Sequence, residues 1–103
     1  MPELFADERG IWVRNDPAWA AYGLEWDEIY LVGGYPIDAI ERTLIYVEVD
    51  PIYGQPFEFN NEWRGFEEVV EALTQRLPGL APSWFQTIAS LPLEQSITVW
   101  RRV

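Results

Sequence analysis

Between Thr43 and Asn60, apolar and polar residues alternate along two runs separated by a turn, and this pattern restricts the chain more than any other stretch. Ile45, Val47 and Val49 fall on one face of an extended run, with Tyr46, Glu48 and Asp50 on the other. Pro51-Ile52-Tyr53-Gly54-Gln55 reads as a turn, after which Phe57 and Phe59 alternate with Glu58 and Asn60. A hairpin buries all these apolar side chains only if they share a face. That condition predicts Val49 near Phe57 and Val47 near Phe59, which sets Glu48 across from Glu58 with Asp50 on the same face.

A change of period follows. Phe66, Val69, Val70, Leu73 and Leu77 recur at helical spacing until Pro78-Gly79 ends the run. Glu67 and Glu68 in the first turn and Arg76 in the last both complement the helix dipole. A second, shorter helix is predicted from Pro82 to Leu91, stopped by Pro92, with Trp84, Phe85 and Ile88 inward. Ile97 to Arg102 closes the chain as a strand.

Upstream of the hairpin, Gly10 to Arg14 reads as a short strand. Asp16 to Gly23 reads as a short helix, with Asp16 as cap, Pro17 at the first position and Gly23 as the stop. Leu24 to Val32 is a further strand, broken by Gly33-Gly34-Tyr35-Pro36, and the segment to Arg42 reads as a loop. Strands followed by helices and a final strand give an α+β fold. The expectation is one domain over residues 1–103, with an antiparallel or mixed sheet of about five strands, two helices on one face and a C-terminal strand.

The side-chain inventory excludes much chemistry. The chain has no His, no Cys and no Lys, and all of its 7 basic residues are Arg against 17 acidic ones. Packing alone must therefore hold the fold, and no imidazole base, thiolate or Schiff-base amine is available. Ser83, Ser90 and Ser96 lack a Gly-x-Ser-x-Gly setting, and the glycines form no phosphate-cradling loop. A net charge of -10 argues against nucleic-acid and anionic-membrane partners; it attracts a basic protein partner over long range, and it serves equally to keep a small domain soluble. The N-terminus has no basic region followed by an apolar core, and no apolar run approaches membrane-span length, so cytoplasmic residence is expected.

The candidate functional residues are acidic and aromatic. Glu48, Asp50 and Glu58 share the outer face of the hairpin. Glu67, Glu68 and Glu71 share the outer face of the long helix, with no basic residue four positions on. Tyr35 and Tyr53, in segments expected to be loops, are the aromatics expected at the surface, where they can anchor a protein interface. Trp26, Trp63, Trp84 and Trp100 are expected to pack in or beside the core.

From Trp26-Asp27-Glu28-Ile29 through the hairpin to the helix Gly65 to Leu77, the chain resembles bacterial pleckstrin-homology-like sheets. Gly65-Phe66-Glu67-Glu68, Arg76-Leu77-Pro78-Gly79, Trp84 and Thr98-Val99-Trp100-Arg101-Arg102 resemble short uncharacterised bacterial proteins. The chain departs from a pleckstrin-homology domain in its second helix and closing strand, and it lacks the basic loop that phosphoinositide binding needs. The resemblance implies a binding scaffold of bacterial origin.

The reading is a non-catalytic, cofactor-free protein-interaction module, monomeric or weakly dimeric, that docks on a basic partner. One form of it is an immunity-type inhibitor. Two alternatives stay open. One is a small carboxylate-based enzyme or divalent-cation binder using Glu48, Asp50 and Glu58. The other is self-association through the edges of Thr43 to Asp50 or Ile97 to Arg102.

Overall fold

The computed structural model describes residues 2–15 and 21–103. Among the described residues the order is β1 (Glu3–Ala6), β2 (Gly10–Arg14), β3 (Tyr22–Glu25), β4 (Ile29–Asp38), β5 (Thr43–Pro51), β6 (Phe57–Asn60), α1 (Phe66–Arg76), α2 (Trp84–Ala89) and β7 (Ile97–Arg101). The fold is α+β, with both helices in the C-terminal half and a strand closing the chain. Among the described residues the strands number seven and form two antiparallel sheets, β1-β2-β3 and β6-β5-β4-β7, where the sequence suggested about five in one.

Three local differences account for the second sheet. First, Leu4 is buried and β1 pairs with β2, although Glu3 to Ala6 is too short to carry a period of its own. Second, the run Leu24 to Val32 is two strands separated by a 3-10 turn at Trp26–Glu28. There the Glu25 N–H donates to Glu28 Oε1 at 2.8 Å and the Trp26 N–H to the Arg9 carbonyl at 3.0 Å, so the chain leaves one sheet and enters the other. Third, the helix expected at Asp16 to Gly23 lies mostly outside the described residues, and its end, Tyr22-Gly23, is strand β3 opposite Val13 and Trp12.

The segment expected to break at Gly33 instead continues as β4 to Asp38. Pro36 fits there for a definite reason. The Pro36 carbonyl accepts from the Glu94 N–H at 3.0 Å, on the side away from β5, and β7 pairs with β4 only as far as Gly34. The missing proline N–H therefore faces a stretch without a neighbouring strand.

One buried cluster draws on both sheets and both helices, including Leu4, Ile11, Val32, Val47, Val49, Phe59, Val69, Leu73, Trp84 and Ile88. The polar ends of the buried indoles are satisfied: Trp84 Nε1 donates to Thr74 Oγ1 and Trp100 Nε1 to the Pro78 carbonyl, each at 2.8 Å. Helix α2 lies against β4 and β7, close enough that a Cβ on Gly34 would meet the Ile88 side chain at 2.9 Å. Helix α1 starts from Gly65 at φ 86°, where a Cβ would lie 1.9 Å from the Leu4 carbonyl, which fixes α1 beside β1. Arg102 joins the chain's end to the sheet junction, its guanidinium donating to the carbonyls of Ile29 at 2.8 Å and Trp26 at 2.9 Å.

Candidate functional site

The helices and the buried cluster lie on one side of the four-stranded sheet, so the alternate residues of the same strands form an uncovered face. The register arranges that face in rows. Glu58 on β6 pairs with Glu48 on β5, Glu48 with Gly33 on β4, and Gly33 with Thr98 on β7. A second row runs from Asp50 through Leu31 to Arg101, and a third joins Tyr46 to Tyr35. The hairpin pairing of Val49 with Phe57, Val47 with Phe59 and Glu48 with Glu58 is the one that burial predicts from the sequence.

This face brings together four of the residues singled out from sequence: Tyr35, Glu48, Asp50 and Glu58. The Tyr35 hydroxyl donates to Glu58 Oε2 at 2.7 Å, and its ring stacks on Tyr46 with centroids 5.4 Å apart and planes 8° from parallel. Tyr35 is therefore a half-buried strand residue, not an exposed loop residue, because β4 runs through the glycines that suggested a turn. Tyr53, at the tip of the β5–β6 hairpin, is 90% exposed as expected and stands apart from the rows.

Like charges dominate the electrostatics. Among the described residues the ion pairs are Arg9–Glu25 and Arg42–Glu62, and neither involves Glu48, Asp50 or Glu58. Partial burial raises the Glu48 carboxyl above the ordinary glutamate range, helped by a hydrogen bond with Asp50 and by the charges of Asp50 and Glu58. Burial likewise raises the Tyr35 phenol, together with its bond to Glu58 and the charges of Glu58 and Glu48. Asp50 Oδ1 is buried without a hydrogen-bond partner, the one such side-chain atom among the described residues. No group of three or more carboxylates among the described residues is placed to hold a metal ion.

Between Leu31 and Tyr35 the face is hollow. Gly33 contributes no side chain to the Glu58–Glu48–Gly33–Thr98 row, and the resulting trough of about 270 Å³ is lined by Leu31, Gly33, Tyr35, Glu48, Ser96 and Thr98, among others. Sequence reasoning placed Tyr46 on the same face as Glu48 but missed the trough. Finding it requires knowing that Gly33 is a strand residue between β5 and β7.

The helix acids form a separate group. Glu67, Glu68 and Glu71 are exposed on α1, and Glu68 and Glu71 border a cleft that also contains Trp26 and Arg76. There Arg76 lies over the Trp26 ring at 5.5 Å and Glu71 accepts from Gln75 Nε2 at 3.2 Å, so the surroundings are mixed in charge. The edges differ too. Strand β5 lies between β4 and β6 and has no free edge over Tyr46 to Val49, whereas β7 is an edge strand. No helix among the described residues is long and apolar enough to cross a membrane. No family model, curated protein or solved structure matches the chain.

Proposed function

We propose that the chain is a non-catalytic interaction module whose uncovered sheet face docks on a basic surface of a protein partner. The observation that carries this reading is the composition of that face. Glu48, Asp50 and Glu58 crowd together without an ion pair among the described residues, beside a stacked Tyr35–Tyr46 pair. Crowded carboxylates of this kind cost stability in the isolated chain. A cationic partner reverses the sign of that term, and the tyrosines supply rigid contact area of the kind enriched at interface centres. The net charge of -10 draws such a partner in over long range. An inhibitor that covers the basic active site of another protein is one form of this module. The α1 acids are left out of the docking surface because they lie on the helix, where Glu68 and Glu71 border the cleft of Trp26 and Arg76 and not the sheet face.

The test is affinity capture from extracts of the source cell at low and high salt, using the wild-type chain and a Glu48→Gln/Glu58→Gln variant. The expected result is a basic protein that elutes as salt rises and is retained poorly by the variant. Capture of an acidic protein, or retention that ignores both salt and the variant, removes the reading.

A further inference from the structure

The trough over Gly33 has the shape and lining to receive one side chain from a partner. Its volume of about 270 Å³ is at the lower edge of the roughly 300–1,000 Å³ that small-molecule pockets span, and it opens along the sheet face. Its lining is unequal. Glu48 lies on one bank, and Thr98 and Ser96 line the other. Leu31 closes one end with apolar surface, and Tyr35 closes the other with a ring already held by Tyr46 and by the bond to Glu58. A carboxylate, a hydroxyl opposite it, a fixed aromatic wall and an apolar end together describe the complement of a planar, donor-only, cationic group on an aliphatic stem.

We propose that this trough seats one arginine side chain of a protein partner, its guanidinium packed against the Tyr35 ring and its N–H groups donating to Glu48. The proposal rests on the reading of the sheet face as a docking surface for a basic partner, and it names the anchor of that docking. Arginine is favoured over lysine on three counts. Its donors are fixed in a fork that matches a carboxylate, its plane stacks on an aromatic ring, and it sheds water more readily than an ammonium. Its five donors also exceed what Glu48 can accept, and Thr98 and Ser96 offer hydroxyl oxygens across the trough. Arg101 shares the face opposite Leu31 but forms no ion pair among the described residues, so the Glu48 carboxylate is free of an internal guanidinium.

The experiment is a titration of the isotopically labelled full chain with hexa-arginine and, separately, hexa-lysine at low salt, followed through backbone amide shifts. The expected result is that hexa-arginine binds roughly five- to tenfold more tightly, with its largest shifts at Gly33, Tyr35 and Thr98. Glu48→Gln, which keeps the shape of the side chain, and Tyr35→Leu are each expected to reduce that preference to near unity. Glu67→Gln on α1 is expected to keep it. Equal affinity for both peptides, with shifts spread over the acidic face, overturns the arginine anchor but leaves the basic-partner reading standing. An arginine preference that survives both Glu48→Gln and Tyr35→Leu places the anchor elsewhere and also overturns it. Absence of binding by either peptide overturns the anchor and the docking reading together.

Discussion

The two faces of the four-stranded sheet are made by alternate residues of the same strands, yet they are solved by opposite physics. On the inner face Val47, Val49 and Phe59 are fully buried in an apolar cluster drawn from both sheets and both helices. On the outer face Glu48 and Glu58 stand opposite each other, and Tyr35 and Tyr46 stack beside an empty row position at Gly33. Hydrophobic burial explains the first arrangement completely. The second is a compromise: the Tyr35–Tyr46 stack and the Tyr35–Glu58 bond favour folding, while the opposed carboxylates oppose it. The residual cost of the opposed carboxylates is the term that the proposed docking on a basic partner would relieve.

The contrast is broken most directly by removing one aromatic ring from each face. Phe59→Ala on the inner face removes a fully buried ring that packs edge-on against both Phe57 and Phe66. A loss of about 3–5 kcal/mol is expected, read as a lower urea midpoint with an unchanged slope. That is a large part of the roughly 5–15 kcal/mol that holds a domain together. On the outer face, Tyr46→Leu removes the stack on Tyr35 and is expected to cost about 1 kcal/mol in the same assay. If Tyr46→Leu matches Phe59→Ala, the outer face is a structural layer and the division between the faces fails.

How far the sequence reveals this contrast depends on where two signals reinforce each other. The β5–β6 hairpin is legible to the residue, because alternation and burial impose the same register and Glu48 falls opposite Glu58 as a consequence. Helix α1 is legible for a similar reason: Phe66, Val69, Leu73 and Leu77 are buried on one stripe and Val70 is half-buried beside it. Strand β4 is not legible, since Gly33-Gly34 and Pro36 are turn residues by local preference. They belong in a strand only because α2 presses close over Gly34 and β7 stops short of Pro36. Both reasons lie in distant parts of the chain. The carboxylate group could thus be read from one hairpin, while the trough beside it depends on a strand whose neighbours decide its conformation.

The smallest effect carries the sharpest sign. Glu48 has its carboxyl raised in the folded chain by burial, by the hydrogen bond with Asp50 and by the charges of Asp50 and Glu58. The folded chain therefore holds this proton more tightly than the unfolded chain does. As pH climbs from the ordinary glutamate value through the raised one, the unfolded state ionises first and stability falls. Below that window both states are protonated and the cost is absent; above it the cost is complete. Glu48→Gln keeps the shape, cannot ionise and retains a donor toward Asp50. The variant is expected to be more stable than the wild type at neutral pH, by about 0.5 kcal/mol for a partly exposed cross-strand pair. The gain should shrink as pH falls through the window and vanish below the ordinary glutamate value. Urea midpoints for the pair of proteins at several pH values check this. A gain that stays constant with pH assigns the effect to packing. A loss at neutral pH shows that ionised Glu48 already has a favourable partner within the chain, and the outer face is then no less settled than the inner one.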